Sequence, residues 1–259
     1  MVVRHITLAA LAAAACFLSP VQAAIVGFGD FSGFSINQTD AGSPPTVSIA
    51  TGTIHLTNGG SSESRSIFTS TKQAVGSFTA SFTYQATNIG FNFDAYQGIT
   101  FVVENSASGS SAVGSSGGLG YLGVPSSLGI IVGLLNQGTA VTVSELAKNG
   151  SIPSGPGAVS PVNAYSGDPI NVVISYNGSL VHEGLTDTVT NGNWSTDYVL
   201  SPSLVTMLGS STAYVGVTGG TVAGADQYIS NFQFTSAVPE PCMAGAMMIG
   251  SLLAIRRRR

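Results

Sequence analysis

Apolar and polar residues alternate with a period of two in segment after segment of this chain, while helical periodicity hardly appears. Phe78, Ala80, Phe82 and Tyr84 interleave with Thr79, Ser81 and Thr83. Ile99, Phe101 and Val103 repeat the pattern further on. Successive side chains of a strand point to opposite faces, so such segments bury one face and wet the other. Leu128–Leu135 is apolar throughout, which predicts a central strand covered on both sides. Val172, Ile174 and Tyr176 run into Asn177-Gly178, a strong two-residue hairpin signal, and Leu180-Val181 opens the return strand. Ala213–Val217 and Tyr228–Phe234 close the series, and only Ser203–Leu208 reads as a short helical turn. Many strands with no helices to cover a parallel sheet predict an all-β antiparallel sandwich. Ser106–Ser116 and Gly150–Pro161, of low complexity, read as surface loops.

The two ends of the 259-residue chain differ from this body. Arg4 and His5 precede the apolar segment Ile6–Leu18, and Val21-Gln22-Ala23 offers small residues to a signal peptidase. The expected signal peptide is residues 1–23, cut after Ala23, with Ala24 close behind. A lipoprotein would use Cys16 instead, although Ala13 stands where Leu is usual. At the other end, Pro239-Glu240-Pro241 is followed by the apolar run Cys242–Ile255 and by four arginines, Arg256 to Arg259. A 14-residue run would span about 21 Å as a helix, short of the roughly 20 residues that a bilayer core needs. Burying that run as a core helix would drag four guanidinium groups inward at heavy desolvation cost. The layout of residues 237–259 resembles the PEP-CTERM sorting signal of Gram-negative bacteria. The resemblance implies export, transient inner-membrane retention by this hydrophobic sorting helix, and cleavage near Pro239-Glu240-Pro241 by an exosortase. On this resemblance the membrane is expected to be engaged through the tail alone, with the cell surface or an extracellular matrix as the destination.

Both cysteines, Cys16 and Cys242, fall in the segments to be removed, so the mature domain at 24–236 has neither disulfide nor thiolate metal site. It retains three cations, Arg65, Lys72 and Lys148, against eleven carboxylates, a net charge of −8. So acidic and lysine-poor a surface argues against nucleic acid and anionic lipid as partners, since both demand cationic side chains.

Several catalytic patterns match by composition only. Gly114-Ser115-Ser116-Gly117-Gly118 has the letters of a nucleophile elbow but sits in a Ser/Gly tract without the strand and helix that such an elbow needs. Gly118-Leu119-Gly120-Tyr121-Leu122-Gly123 has those of a dinucleotide fingerprint, but Pro125 and a strand follow where the helix should start. His55 and His182 lie in strand patterns without a neighbouring ligand at metal spacing and read as sheet-surface residues. Glycosidase chemistry needs two carboxylates facing one groove. Glu183 and Asp187 come closest, sharing a face if Gly184 does not bulge the strand, and read as a solvated pair.

Four collinear segments resemble the legume-type (L-type) lectins. They are Gly76–Phe82, the stretch Gln97-Gly98-Ile99-Thr100-Phe101-Val102-Val103-Glu104-Asn105, the turn Gly117–Tyr121, and Thr212–Gly220 with Ala225–Phe232. The resemblance implies a concanavalin A-like jelly roll that binds sugar at its loops, with calcium and a transition metal behind them. Here Gln97 stands where an Asp is expected, and no carboxylate occurs between Asn105 and Glu145. Calcium sites normally include carboxylates, so the family's metal site is expected to be lost and no cofactor is expected. What the resemblance leaves is a metal-free sugar site with Gln97 and Asn136 as hydrogen-bonding groups, the Gly118 N–H as a donor, and Tyr121 or Tyr96 as stacking face. Gln97 and Asn136 read equally well as turn-capping loop residues. The expected function is noncatalytic carbohydrate binding or association with exopolysaccharide. A structural or adhesion domain without sugar binding is the alternative, and a sandwich-fold glycosidase comes third.

Overall fold

The computed structural model describes residues 22–90, 96–136, 138–155 and 157–237. Of the segments read as leader and sorting tail, residues 1–21 and 238–259 lie outside the described residues, among them the lipoprotein candidate Cys16 and Pro239, Glu240, Pro241 and Arg256. Among the described residues no helix is long and apolar enough to cross a membrane.

The strands run β1 (Gln22–Val26), β2 (Phe34–Gln38), β3 (Thr46–Ser48) and β4 (Thr53–Asn58), then β5 (Ser64–Thr69) and β6 (Gln73–Ala74). They continue as β7 (Phe78–Thr87), β8 (Tyr96–Glu104), β9 (Ser127–Asn136), β10 (Ala140–Lys148) and β11 (Gly157–Ala158). The last five are β12 (Ile170–Tyr176), β13 (Leu180–Asp187), β14 (Asn193–Val199), β15 (Thr212–Gly220) and β16 (Asp226–Ala237). One sheet, sheet A, has the order β14-β13-β12-β7-β16-β4-β3, with β1 also pairing β16. Sheet B has the order β11-β10-β9-β8-β15-β5-β2, with β6 also pairing β15. All neighbours are antiparallel, and the two sheets pack face to face as a sandwich. β1 places Ala23 opposite Ser236, so the expected peptidase site and the end of the domain share one strand pair.

The alternating segments become strands for the reason their pattern gives. On β7, Phe78, Ala80, Phe82, Tyr84 and Ala86 are buried and meet Ile99, Phe101 and Val103 of β8 across the core. The Phe78 and Phe82 rings lie 6.1 and 6.3 Å from that of Phe101, so one phenylalanine of sheet B is gripped by two of sheet A. Burying each such ring contributes about 1.5–3 kcal/mol. The hairpin forms as expected. Asn177 Oδ1 accepts from the N–H groups of Ser179 and Leu180, and Gly178 takes a φ of +104° at the turn. The helical turn is Leu204–Leu208, with Ser203 Oγ accepting from Thr206 N as its cap.

β9 is buried on both faces, as its apolar run predicts. Its outer cover is the segment after β8, which is therefore more than a surface loop. Ala112, Leu119, Tyr121 and Val124 fold down onto Phe68, Val102, Ile131 and Ala147 as a second apolar cluster on the outside of sheet B. Gly150–Pro161 likewise departs from a plain loop, because Gly157 and Ala158 pair with β10 and Val159 is buried.

Candidate functional site

The chain gathers the family-like loop residues, but uses most of them internally. Gln97 on β8 pairs with Leu134 on β9, two residues before Asn136, so both polar residues reach the same end of sheet B. Gly98 sits between two strands at φ +133°, where an added Cβ would meet Val132 O at 2.4 Å, so only glycine lets the strands close there. Gln97 is only 1% exposed, and its Nε2 donates to Gly90 O at 3.1 Å. Its Oε1 is buried without a hydrogen-bond partner. Asn136 is half-buried and caps its own turn, accepting from Gly138 N at 3.2 Å.

Two of the expected sugar contacts have other roles. The Gly118 N–H donates to Ser115 O at 3.2 Å, and a Cβ on Gly118 would lie 2.1 Å from that of Leu122. This glycine tightens a turn and presents no free donor. Tyr121 is fully buried in the outer cluster of sheet B. Its hydroxyl accepts from Ser127 Oγ and from Gly150 N, so its ring fills a core and offers no face to a sugar. Tyr96 is half-buried against the same cluster. The glycine-rich turn is pinned from below by Thr218 Oγ1, which donates to Leu119 O at 2.8 Å.

The acidic pair is also corrected. β13 runs without a bulge at Gly184, so Glu183 and Asp187 share a face, but it is the inward one and they are not solvated. Glu183 is sealed between the sheets, accepting from Ser144 Oγ of β10 at 2.5 Å and from Tyr198 of β14 at 3.3 Å. Burial pushes its carboxyl up to about 8, against these two hydrogen bonds, which pull it down. Asp187 Oδ1 accepts from Val189 N and Thr190 N, which hold its carboxyl below the usual range and spend it on the following turn. His55 and His182 lie on the outer face of sheet A as expected. Each has a carboxylate partner that is distant in sequence: Asp226 at 2.9 Å and Asp197 at 2.7 Å. Among the described residues no group of three His, Cys, Asp or Glu side chains is placed to hold a metal.

The open concavity lies elsewhere, on the outer face of sheet A. Thr53, Thr83, Gln85, Asn171, Tyr228 and Asn231 line a groove of about 460 Å³ over β12, β7, β16 and β4. A second depression of about 280 Å³ shares Thr83, Asn171 and Asn231 and extends it towards Ser81 and Val173. A bulge builds its centre. β16 slips register between Ser230 and Gln233, and Asn231 takes a φ of +54°, which asparagine tolerates better than most residues. Ser230 and Asn231 are therefore both accessible, while Ile229 and Phe232 stay buried. Asn231 Nδ2 donates to Thr83 Oγ1 at 3.2 Å, and Thr83 Oγ1 donates to Asn171 Oδ1 at 2.9 Å. This relay crosses three strands and fixes two amides, leaving the Asn171 nitrogen and the Asn231 oxygen unspent among the described residues. Gln85 is held by Gly167 O at 2.8 Å, and Tyr228 stacks on His55 with ring centroids 4.3 Å apart. Thr83 sits on the polar phase of a strand read from the sequence, and Gln85 continues that phase. The bulge, and with it Asn231, carries no sequence signal beyond a Ser-Asn pair between the apolar Ile229 and Phe232.

No family model and no curated protein matches the sequence. Among solved structures, the lectin from Bauhinia forficata in complex with GalNAc is similar with a TM-score of 0.64 at 14% identity, over 83% of this chain and 98% of that one. Arcelin-5, a lectin-like defense protein from Phaseolus vulgaris, gives 0.63 at 14% identity, covering 83% and 97%. Winged bean acidic lectin complexed with methyl-alpha-D-galactose gives 0.64 at 15% identity, covering 85% and 100%. The chain has the concanavalin A-like fold of the legume lectins.

Proposed function

We propose that this protein is an exported, noncatalytic carbohydrate-binding protein whose contact surface is the groove on the outer face of sheet A. The observation that carries the reading is the Asn231–Thr83–Asn171 relay. It fixes two side-chain amides in an open, hydroxyl-rich groove, and amides paired with vicinal hydroxyls are the usual chemistry of sugar recognition. No carboxylate lines the groove, so it lacks the acid pair of a glycosidase. The legume-lectin fold supports sugar binding in general. The spent donors at Gly118 and the buried ring of Tyr121 disfavour the loop end as its place.

Isothermal titration against a panel of soluble polysaccharides tests this. We expect saturable binding that EDTA leaves unchanged, since no carboxylate or histidine lines the groove, and that Thr83→Val weakens about tenfold or more. Loss of one or two hydrogen bonds, at about 1 kcal/mol each, is enough for that. Binding abolished by EDTA, or insensitive to Thr83→Val, would return the site to the loops around Gln97.

The apolar leader and the resemblance of the tail to a sorting signal support an exported protein. Signal peptidase is its first processing enzyme and an exosortase its second, with transient inner-membrane retention between them and an exopolysaccharide matrix or the cell surface beyond. The mature mass should begin at Ala24 and end close to Pro239. A secreted product that still carries Arg256 to Arg259 contradicts this route.

A further inference from the structure

The groove also carries information about what kind of glycan it takes. We infer that its ligand is an electrically neutral polysaccharide chain lying along β7 over several sugar units, and not a terminal monosaccharide or a uronic-acid polymer. This rests on the reading of the groove as the glycan site.

Shape gives the first half. The two depressions meet at Thr83, Asn171 and Asn231 and extend in opposite directions along the strands. One reaches Gln85, Thr188 and Tyr228, and the other Ser81, Val173 and Gln233. At about 3.4 Å per residue, the stretch of β7 from Ser81 to Gln85 covers roughly 14 Å, and the polar phase continues to Thr79 for roughly 20 Å. That length holds several sugar rings in a row. The hydrogen-bonding groups are spread along it and do not converge on one point, as they would around a single ring.

Charge gives the second half. Every polar residue lining the two depressions is Ser, Thr, Asn, Gln or Tyr. The three cations left after processing are committed elsewhere. Arg65 is fully buried, Lys72 lies over the Tyr214 ring with its Nζ donating to Asn105, and Lys148 ends β10 in sheet B. Carboxylates stand around the groove: Asp168 precedes the lining residue Pro169, and the outer face of sheet A also carries Asp226 bound to His55 and Asp197 bound to His182. With a net charge of −8 on the mature domain, a polyanion meets repulsion and finds no cation to offset it. A neutral chain loses nothing to this field.

The test uses the mature exported protein. Neutral oligosaccharides of the gluco, xylo and manno series, from monosaccharide to octasaccharide, are titrated beside polygalacturonate and alginate at low and high salt. We expect no saturation by monosaccharides and a gain of about tenfold or more as the chain lengthens. The affinity should then level off and change less than about twofold with salt, as for a contact without ion pairs. The gain with length should disappear in Thr83→Val. Tight binding of a monosaccharide with no gain on lengthening overturns the extended ligand. Preference for a uronate polymer with steep salt dependence overturns the neutral one. Both of those results leave carbohydrate binding standing. Silence across the whole panel removes the carbohydrate reading itself, and this inference with it.

Discussion

Replacing Glu183 by glutamine makes the protein more stable at pH 8 and flattens its stability between pH 5 and 8. The carboxyl lies between the two sheets, fully buried, with Ser144 and Tyr198 on one oxygen and no partner on the other. Burial raises it from 4.5 to about 8, so the folded protein binds this proton more tightly than the unfolded chain does. Its contribution is therefore complete below pH 4.5 and is lost as pH rises towards 8. Each pKa unit corresponds to about 1.4 kcal/mol, which puts the loss across that window at several kcal/mol. Glutamine is neutral throughout and removes this slope, at the modest cost of an amide that inherits one unpartnered position. Glu63, Glu104 and Glu145 are also raised by burial and fall in the same direction, so the decisive quantity is the difference between variant and parent. Guanidinium chloride unfolding at pH 5, 6.5 and 8 measures it. Parallel curves for the two proteins would mean that Glu183 is hydrated and ionised without cost.

Arg65→Ala should cost about 3–5 kcal/mol, as much as truncating a buried phenylalanine of sheet B. Arg65 is a fully buried side chain whose guanidinium pairs with Asp40 and with Glu63, the latter at 3.2 Å. Its Nη2 also donates to Ser43 O at 2.8 Å, tying the segment before β3 to β5. Truncation leaves the Glu63 carboxylate at 2% exposure with its cation gone. The penalty comes mostly from that stranded charge, so Arg65→Met combined with Glu63→Gln should recover a large part of it. Thermal unfolding of the single and double variants decides the matter. A double variant no better than Arg65→Ala would show that the guanidinium hydrogen bonds, and not the orphaned charge, hold this corner.

The strands with strict alternation were legible because burial on one face is a local property of the residues. Phe78 to Tyr84 and Val172 to Tyr176 needed only their own pattern to become β7 and β12. β2 and β5 were not legible. Ser64–Thr69 contains an arginine among serines, and it is buried on both faces because the segment around Ala112 and Gly114 closes over it and Arg65 is paired by the remote Asp40 and the adjacent Glu63. Tyr121 was misplaced for the same reason. Its neighbours are glycines that promise an exposed turn, and only the fold reveals that this turn lies down on sheet B. Glu183 looked solvated because its interior partners come from other strands, Tyr198 from the next one and Ser144 from β10 of the opposite sheet.

By itself, then, the sequence determined the two-faced strands and the acidic, cysteine-free character of the domain, since each depends on residues close together along the chain. The location of the candidate site was decided by the tertiary structure alone. Asn231, Thr83 and Asn171 lie on three strands, up to 148 residues apart, and meet because antiparallel pairing and one bulge bring their side chains to a single face. Hydrophobic alternation specifies which face of a strand is wet, but carries no information about which wet faces become neighbours.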